Sequence, residues 1–174
     1  PITASFHCQA ENITAHIFLM NAGFVNKLIY KNFYKHVYQY CDYVHYPTEF
    51  IKNVFESATE KTDGVVISNG VNENFFKGGE ARRVSDKFTI VCTGRYSREK
   101  AQELLIKAIP LTKHKDDIKV VFAGTGPCEN KLKKLAAKYD VDAEFRFFSR
   151  EDLMSMLRGA DLYVHTAKIE IEAI

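Results

Sequence analysis

The chain has no tryptophan, only four prolines and four cysteines among its 174 residues, and no excess of either charge. Each shortage excludes something. No apolar run approaches the roughly 20 residues that cross a bilayer, so no transmembrane helix is expected. Cys8, Cys41, Cys92 and Cys128 are scattered without CxxC spacing. That rules out a zinc pattern, and it is no disulfide framework for so long a chain. They read as reduced, mostly buried thiols of a cytoplasmic protein. The formal net charge is +2, too small for nucleic acid to be the main partner. No repeat, low-complexity segment or signal peptide is visible. The chain opens on Pro1-Ile2-Thr3 rather than methionine, and so reads as a piece of something longer.

What is present is an ordinary globular inventory, 46% apolar, with its charge unevenly spread. Residues 1–76 carry 5 Lys and 7 acids, whereas residues 77–174 carry 19 Lys and Arg against 15 acids. The second half is the one suited to an anion. Within it, residues 88–100 read FTIVCTGRYSREK. A β-branched and aromatic run ends at Thr93-Gly94, Arg95 and Lys100 follow, and a helical pattern begins at Gln102. A strand, a glycine turn and a helix start with fixed positive charge suit a phosphate. Arg95 can fork onto two oxygens, and Lys100 is a movable point charge. The alternative is that both cations are simply solvated. Their placement directly after an apolar strand favours function, because open α/β sheets bind ligands at the carboxyl ends of their strands.

Strand and helix patterns alternate along the chain. Strands are expected at 2–6, 43–45, 64–67, 88–92, 118–123, 144–148 and 162–165. The run at 64–67 reads as a buried strand. Helices are expected at 24–41, from Pro47 to about Ser57, at 102–111, at 131–139 and from the Ser149 cap to Arg158. Leu104, Leu105, Ala108 and Ile109 form the expected inner face of the third. Residues 69–86 break the rhythm with Gly, Asn and charge. The expected organisation is therefore a first domain over 1–76, a linker over 77–86 and a second domain over 87–174. Helices of this length between strands imply right-handed crossovers and parallel sheets, an α/β fold.

Other candidates carry weaker patterns. Gly124-Thr125-Gly126-Pro127 is a second glycine turn, but Glu129 stands where a dinucleotide fingerprint needs its third glycine, so a tight strand-to-helix turn is the simpler reading. Glu170 and Glu172 follow the last strand. Carboxylates there can accept sugar hydroxyls, although a solvated loop is the simpler reading for them alone. His7 and Cys8 are adjacent on a strand and face opposite ways, a poor metal pair. Lys27, Lys31 and Lys35 make one basic stripe among Tyr30, Phe33, Tyr34, Val37 and Tyr38. Such a helix can rest on an anionic membrane surface, or can simply solvate its lysines over an aromatic face.

The segments TGRYSREK, VVFAGTGPCENKLKKLA and ADLYVHTAKIEIEAI resemble the second domain of family-4 retaining glycosyltransferases. ASFHCQAEN, YVHYPTEF and VVISNGVNENFF resemble the later part of the first domain of those enzymes. The resemblance implies a GT-B architecture of two Rossmann-like units with parallel sheets, both incomplete here. It implies a metal-independent hexosyltransferase with no cofactor. Such an enzyme moves sugar from a UDP- or GDP-hexose donor to a lipid, polysaccharide or other hydroxyl acceptor, with retention. By the same resemblance Gly94, Arg95 and Lys100 grip the diphosphate, and Glu170 contacts the donor sugar as the first glutamate of a Glu-x7-Glu motif. Ile171, Glu172 and the amides to Ile174 lie near the β-phosphate, and His7 faces the sugar. Phe147, Phe148 and Ser149 hold the nucleobase, and Asn69-Gly70 is the turn leaving the first domain. The motif's second glutamate would fall after Ile174 and an early glycine loop before Pro1, so this chain alone is expected to be inactive. A nucleotide- or phosphosugar-binding module without transfer chemistry, or an epimerase or phosphorylase of the same architecture, are the rival readings. A cytoplasmic location, peripheral at the inner membrane face, completes the expectation.

Overall fold

The computed structural model describes residues 1–172. The chain divides into two units: Pro1–Val71 together with the chain from Ile169 on, and Asn72–Lys168. This division differs from the expected 1–76, 77–86 and 87–174 at both ends. Residues 77–86, expected as a linker, belong to the second unit, where Arg82 N–H donates to Ser155 O at 2.9 Å and Arg158 Nη2 donates to Lys77 O at 2.7 Å. The returning segment joins the first unit, where Thr48 Oγ1 donates to Ile171 O at 3.1 Å.

The first unit runs β1 (Thr3–Ser5), α1 (Ala10–Ala15), α2 (Gly23–His36), β2 (Tyr43–Tyr46), α3 (Glu49–Ala58) and β3 (Gly64–Val66). Its sheet has the order β1-β2-β3, all parallel. Thr48, not Pro47, starts α3: its hydroxyl accepts the Ile51 N–H at 3.2 Å, satisfying one of the unpaired donors of the first turn. The core is an aromatic wedge. Phe6, Tyr46 and Phe55 are fully buried, and the Phe6 and Phe55 ring centroids lie 4.2 Å apart. α1 escaped the sequence pattern because it is short and is held by polar contacts. Thr14 Oγ1 donates to Asn26 Oδ1 at 2.8 Å, and Asn26 Nδ2 donates to Met20 O at 2.9 Å. The expected burial of 64–67 is not found. Val65 and Ile67 are exposed, because the described helices pack on the face carrying Val44, Tyr46 and Val66.

The second unit runs β4 (Phe88–Thr93), α4 (Glu103–Ala108), β5 (Ile118–Ala123), α5 (Glu129–Lys138), β6 (Ala143–Arg146), α6 (Arg150–Gly159) and β7 (Leu162–Tyr163). The sheet order is β6-β5-β4-β7, all parallel. Both faces are covered, which is why residues 90–92 and 120–123 read as unbroken apolar runs. Ile90, Cys92, Val120 and Phe122 face Leu105, Ile106, Leu132 and Ala136, while Val91, Val121 and Ala123 face Met156. Of the expected inner face of α4, Leu105 and the following Ile109 are buried, joined by Ile106, whereas Leu104 and Ala108 are exposed. The helix lasts six residues before tightening into a 3₁₀ turn over Ile109–Leu111. Ser149 caps α6 as expected, its hydroxyl accepting the Asp152 N–H at 3.1 Å. Of the four cysteines only Cys92 is buried; the others are partly exposed, so the thiols are less enclosed than expected.

An ionic contact ties the start of this sheet together. Asp142 accepts from Lys119 Nζ at 2.8 Å and from Lys87 Nζ at 3.0 Å. The Lys119 hydrogen bond first, then Lys87, hold its carboxyl below the ordinary aspartate range. A carboxyl depressed in the folded state contributes stability above its unfolded pKa of about 3.9 and loses it as pH falls through the lower folded value. The urea midpoint is therefore expected to decline as pH falls below about 4, and Asp142→Asn is expected to flatten that part of the profile. Urea titrations between pH 6 and 3 measure it.

Candidate functional site

Strand order marks a candidate position in the second unit. From β4 the chain steps outward to β5 and β6, then returns to the other side of β4 as β7. The carboxyl ends of β4 and β7 thus flank a topological switch point, where open α/β sheets bind ligands. Gly94 and Arg95 leave β4 at that point. Gly94 has φ +128°, a conformation that side-chain-bearing residues rarely adopt, and Arg95 is exposed.

The turn after Gly94 is fixed from three sides. Gln102, almost wholly buried, donates Nε2–H to Arg95 O at 2.9 Å. Tyr96 is fully buried and donates its hydroxyl to Phe122 O at 2.6 Å, and burial drives its ionisation far above the usual tyrosine range. The carbonyl of Lys100 accepts from Thr166 Oγ1 at 2.7 Å, tying the Lys100 backbone to the segment after β7. α4 begins only at Glu103, so the loop, rather than a helix start directly after the glycine, sets the direction of Arg95 and Lys100.

The second glycine turn proves to be part of the first. Gly94 N–H donates to Ala123 O at 3.0 Å, Tyr96 N–H to Thr125 O at 2.8 Å and Cys128 N–H to Tyr96 O at 2.9 Å. A side-chain carbon at Gly124 would lie 2.1 Å from Gly94 O. Gly124-Thr125-Gly126-Pro127 is a strand-to-helix turn whose work is to let the Gly94 turn lie against it.

Phe148 is partly buried against the α6 side of the sheet, and the Arg146 guanidinium lies 4.9 Å from its ring centroid. It lines a cleft of about 250 Å³ with Arg82, Arg83, Val84, Glu144, Arg146, Asp152 and Met156. Phe147 beside it is exposed, and Ser149 is committed to capping α6.

The remaining candidates lie in the first unit. His7 follows β1, with its ring centroid 5.4 Å from that of His45. His45 bridges Ser5 Oγ at 3.1 Å and Ile67 O at 2.6 Å. Glu170 and Ile171 are half-buried in the returning segment. The Glu172 carboxylate accepts from Ser68 Oγ, from Asn69 N–H at 3.1 Å and from Asn69 Nδ2 at 2.8 Å. These bonds, Ser68 first, with the nearby His7, hold its carboxyl below the ordinary glutamate range. Ala173 and Ile174 lie outside the described residues. Lys27, Lys31 and Lys35 are all exposed along α2. Among the described residues no three His, Cys, Asp or Glu side chains converge on a common point.

Residues 73–174 match the sequence model of the family glycosyl transferases group 1. The chain belongs to that family. Members transfer sugars from nucleotide sugars, and the GT-B resemblance and the α/β class with two parallel sheets expected from the sequence hold. Anabaena HepE, solved in complex with UDP-glucose, superposes with a TM-score of 0.73 at 16% identity, covering 98% of this chain and 48% of that one. Staphylococcus aureus TarM, solved with UDP, gives 0.69 at 17% identity, covering 95% and 32%. The catalytic domain of Helicobacter pylori cholesterol-α-glucosyltransferase is 48% identical over 47% of this chain and 52% of that one, with a TM-score of 0.43. Among curated proteins none matches. The chain spans about half, or less, of the length of these solved relatives.

In this member of the glycosyl transferases group 1 family, the sequence pattern did not reveal what β7 brings to the switch point. Thr93 Oγ1 and the Tyr163 hydroxyl lie 3.0 Å apart, and the Tyr163 ring stacks at 21° on His165. The sequence does contain a signal for them, the polar residues closing an apolar strand, but it does not say which neighbour that strand has. The interlock of the two turns makes a direct prediction. Gly124→Ala is expected to destabilise the protein by about 1–3 kcal/mol, the usual range for an overpacked site. The expected signature is a lower urea midpoint with an unchanged slope.

Proposed function

We propose that the full-length protein is a retaining glycosyltransferase that moves a hexose from a nucleoside-diphosphate sugar, UDP- or GDP-linked, to a hydroxyl acceptor. The observation that carries this reading is the interlocked turn that projects Arg95 at the switch point of a group 1 glycosyltransferase sheet. Solved relatives hold UDP or UDP-glucose, which supports a diphosphate donor. In the reaction the bond from the anomeric carbon to the β-phosphate oxygen breaks, leaving its electron pair on that oxygen. The acceptor oxygen bonds to the anomeric carbon on the same face, and the acceptor proton passes to the released diphosphate. Arg95 and Lys100 stabilise the charge growing on the leaving group, which is where fixed cations lower a barrier most. Glu170 accepts hydroxyls of the donor sugar, and His7 faces that sugar. Phe148, with the turn around it, bounds the nucleobase. By the family resemblance these side chains need no metal or organic cofactor.

Replacing Arg95 or Lys100 by alanine in the full-length protein is expected to lower kcat/KM by about 100-fold or more, the loss typical of a missing transition-state donor. Wild-type-like turnover in both variants overturns their assignment. Incubation with labelled nucleotide sugars separates two rivals: binding without release of nucleotide identifies a binding module, and an isomerised sugar identifies an epimerase. Sugar 1-phosphate formed from a glucan with inorganic phosphate identifies a phosphorylase.

A peripheral attachment to an anionic membrane is the second part of the reading. On α2 with the exposed Lys27, Lys31 and Lys35 are exposed apolar side chains, Phe24 at 77% and Leu28 at 50%, and Ile17 at 60% and Phe18 at 79% are exposed in the chain before that helix. Apolar side chains beside a basic stripe match the interfacial pattern. No helix among the described residues is long and apolar enough to cross a membrane. Full-length protein is expected to sediment with phosphatidylglycerol vesicles at low salt, and the triple variant Lys27→Ala, Lys31→Ala, Lys35→Ala to stay in solution. Failure of the unmodified protein to sediment overturns the attachment.

A further inference from the structure

The chain leaves the first unit at Val71 and returns to it at Ile169. One carboxylate joins the two crossings. Ser68 Oγ donates to Glu172 Oε1, and Asn69 reaches Oε2 with both its backbone N–H, at 3.1 Å, and its side-chain Nδ2, at 2.8 Å. Ser68 Oγ also accepts the Gly70 N–H at 3.0 Å, closing the turn from within. Immediately before Glu172, Ile171 O accepts from Thr48 Oγ1 at 3.1 Å, the same hydroxyl that caps α3. The returning segment is therefore pinned at consecutive residues, to the exit turn and to a helix start. Hydrogen bonds to an ionised acceptor are roughly twice as strong as neutral ones, and an ionised carboxylate offers about four acceptor sites, three of which are used here. A carboxylate so engaged has little capacity left for a ligand.

We propose that Glu172 is a hinge clamp. Its carboxylate ties the turn by which the chain leaves the first unit to the segment by which it returns, and so fixes the backbone that carries Glu170. Glu172 is then a positioning residue, acting on the reaction through Glu170 rather than by touching the donor. The kinetic consequence rests on the glycosyltransferase reading above; the clamp itself does not.

The test uses full-length protein with Glu172→Ala, Asn69→Ala, the double variant, and Glu172→Gln, which keeps one acceptor oxygen. Hydrogen exchange of the Asn69 amide is expected to quicken about tenfold or more in Glu172→Ala and to recover in part in Glu172→Gln, since the amide loses its charged acceptor. In transfer assays each single alanine variant is expected to lose about tenfold in kcat, with the double variant no worse than either, because the two residues act as one unit. Donor affinity by calorimetry is expected to stay near that of the unmodified protein. Unchanged Asn69 exchange in Glu172→Ala, or multiplying losses in the double variant, overturns the clamp. A donor affinity that drops in Glu172→Ala but not in Asn69→Ala overturns it in favour of direct donor contact. If the unmodified protein transfers no sugar, the glycosyltransferase reading fails and the exchange measurement still decides the clamp. Should Glu172→Ala not fold, Glu172→Gln with Asn69→Ala carries the same cycle.

Discussion

The second unit depends on how closely two backbone turns approach each other. Gly124 has no side chain because Gly94 O occupies the space one would need. From that contact the rest follows in order. Tyr96 can enter the core and donate to Phe122 O, and the loop can lie back so that Gln102 holds the Arg95 carbonyl. Arg95 is then left exposed at the carboxyl end of β4. A cation on a loop would sample many directions. Here the backbone on either side of it is held by buried donors and acceptors, which is the preorganisation an anion site requires.

The first unit is built on a different principle. Its sheet is short, and its core is a cluster of rings with Val44 and Ile51 among them. Phe6 contacts Tyr30, Phe33, Tyr38, Tyr46 and Phe55 with centroids between 4.2 and 6.5 Å, all of them tilted or edge-on, the arrangement that ring quadrupoles favour. The tyrosines reach polar partners at the edge of this cluster: Tyr30 donates to Glu11 at 2.5 Å, and Tyr46 meets Thr62 at 2.9 Å. That requirement explains why α2 combines aromatic residues with an exposed lysine stripe. Tyr30, Phe33 and Tyr34 pack toward the core, and the cations are left on the outer surface.

Much of this was legible in advance. Apolar runs located all seven strands to within two residues at each end, because a run buried on both faces, or alternating toward one core, leaves a periodic trace. The shorter β7 was found at its start and overextended at its end, where pairing with β4 stops after two residues. The helix of polar origin, α1, left no such trace. Arg95 and Lys100 could be singled out because they follow a strand directly, and the family assignment reached from these motifs agrees with the match over residues 73–174. Tyr163, Thr166 and the partners of Glu172 could not be singled out, since each acquires its meaning from a residue 66 to 104 positions away.

By itself the sequence determined the local pieces: which stretches are strands, where glycine permits a turn, and where α6 starts, at a hydroxyl able to accept a backbone N–H group. Those depend on neighbours within a few residues, and so are written in the order of the chain. Tertiary structure alone decided that β7 returns beside β4, that the two glycine turns share one space, and that Glu172 closes on Ser68 and Asn69. Each of these is a contact between segments far apart in the chain. Such contacts depend on how whole layers pack, and no short window of residues contains that information.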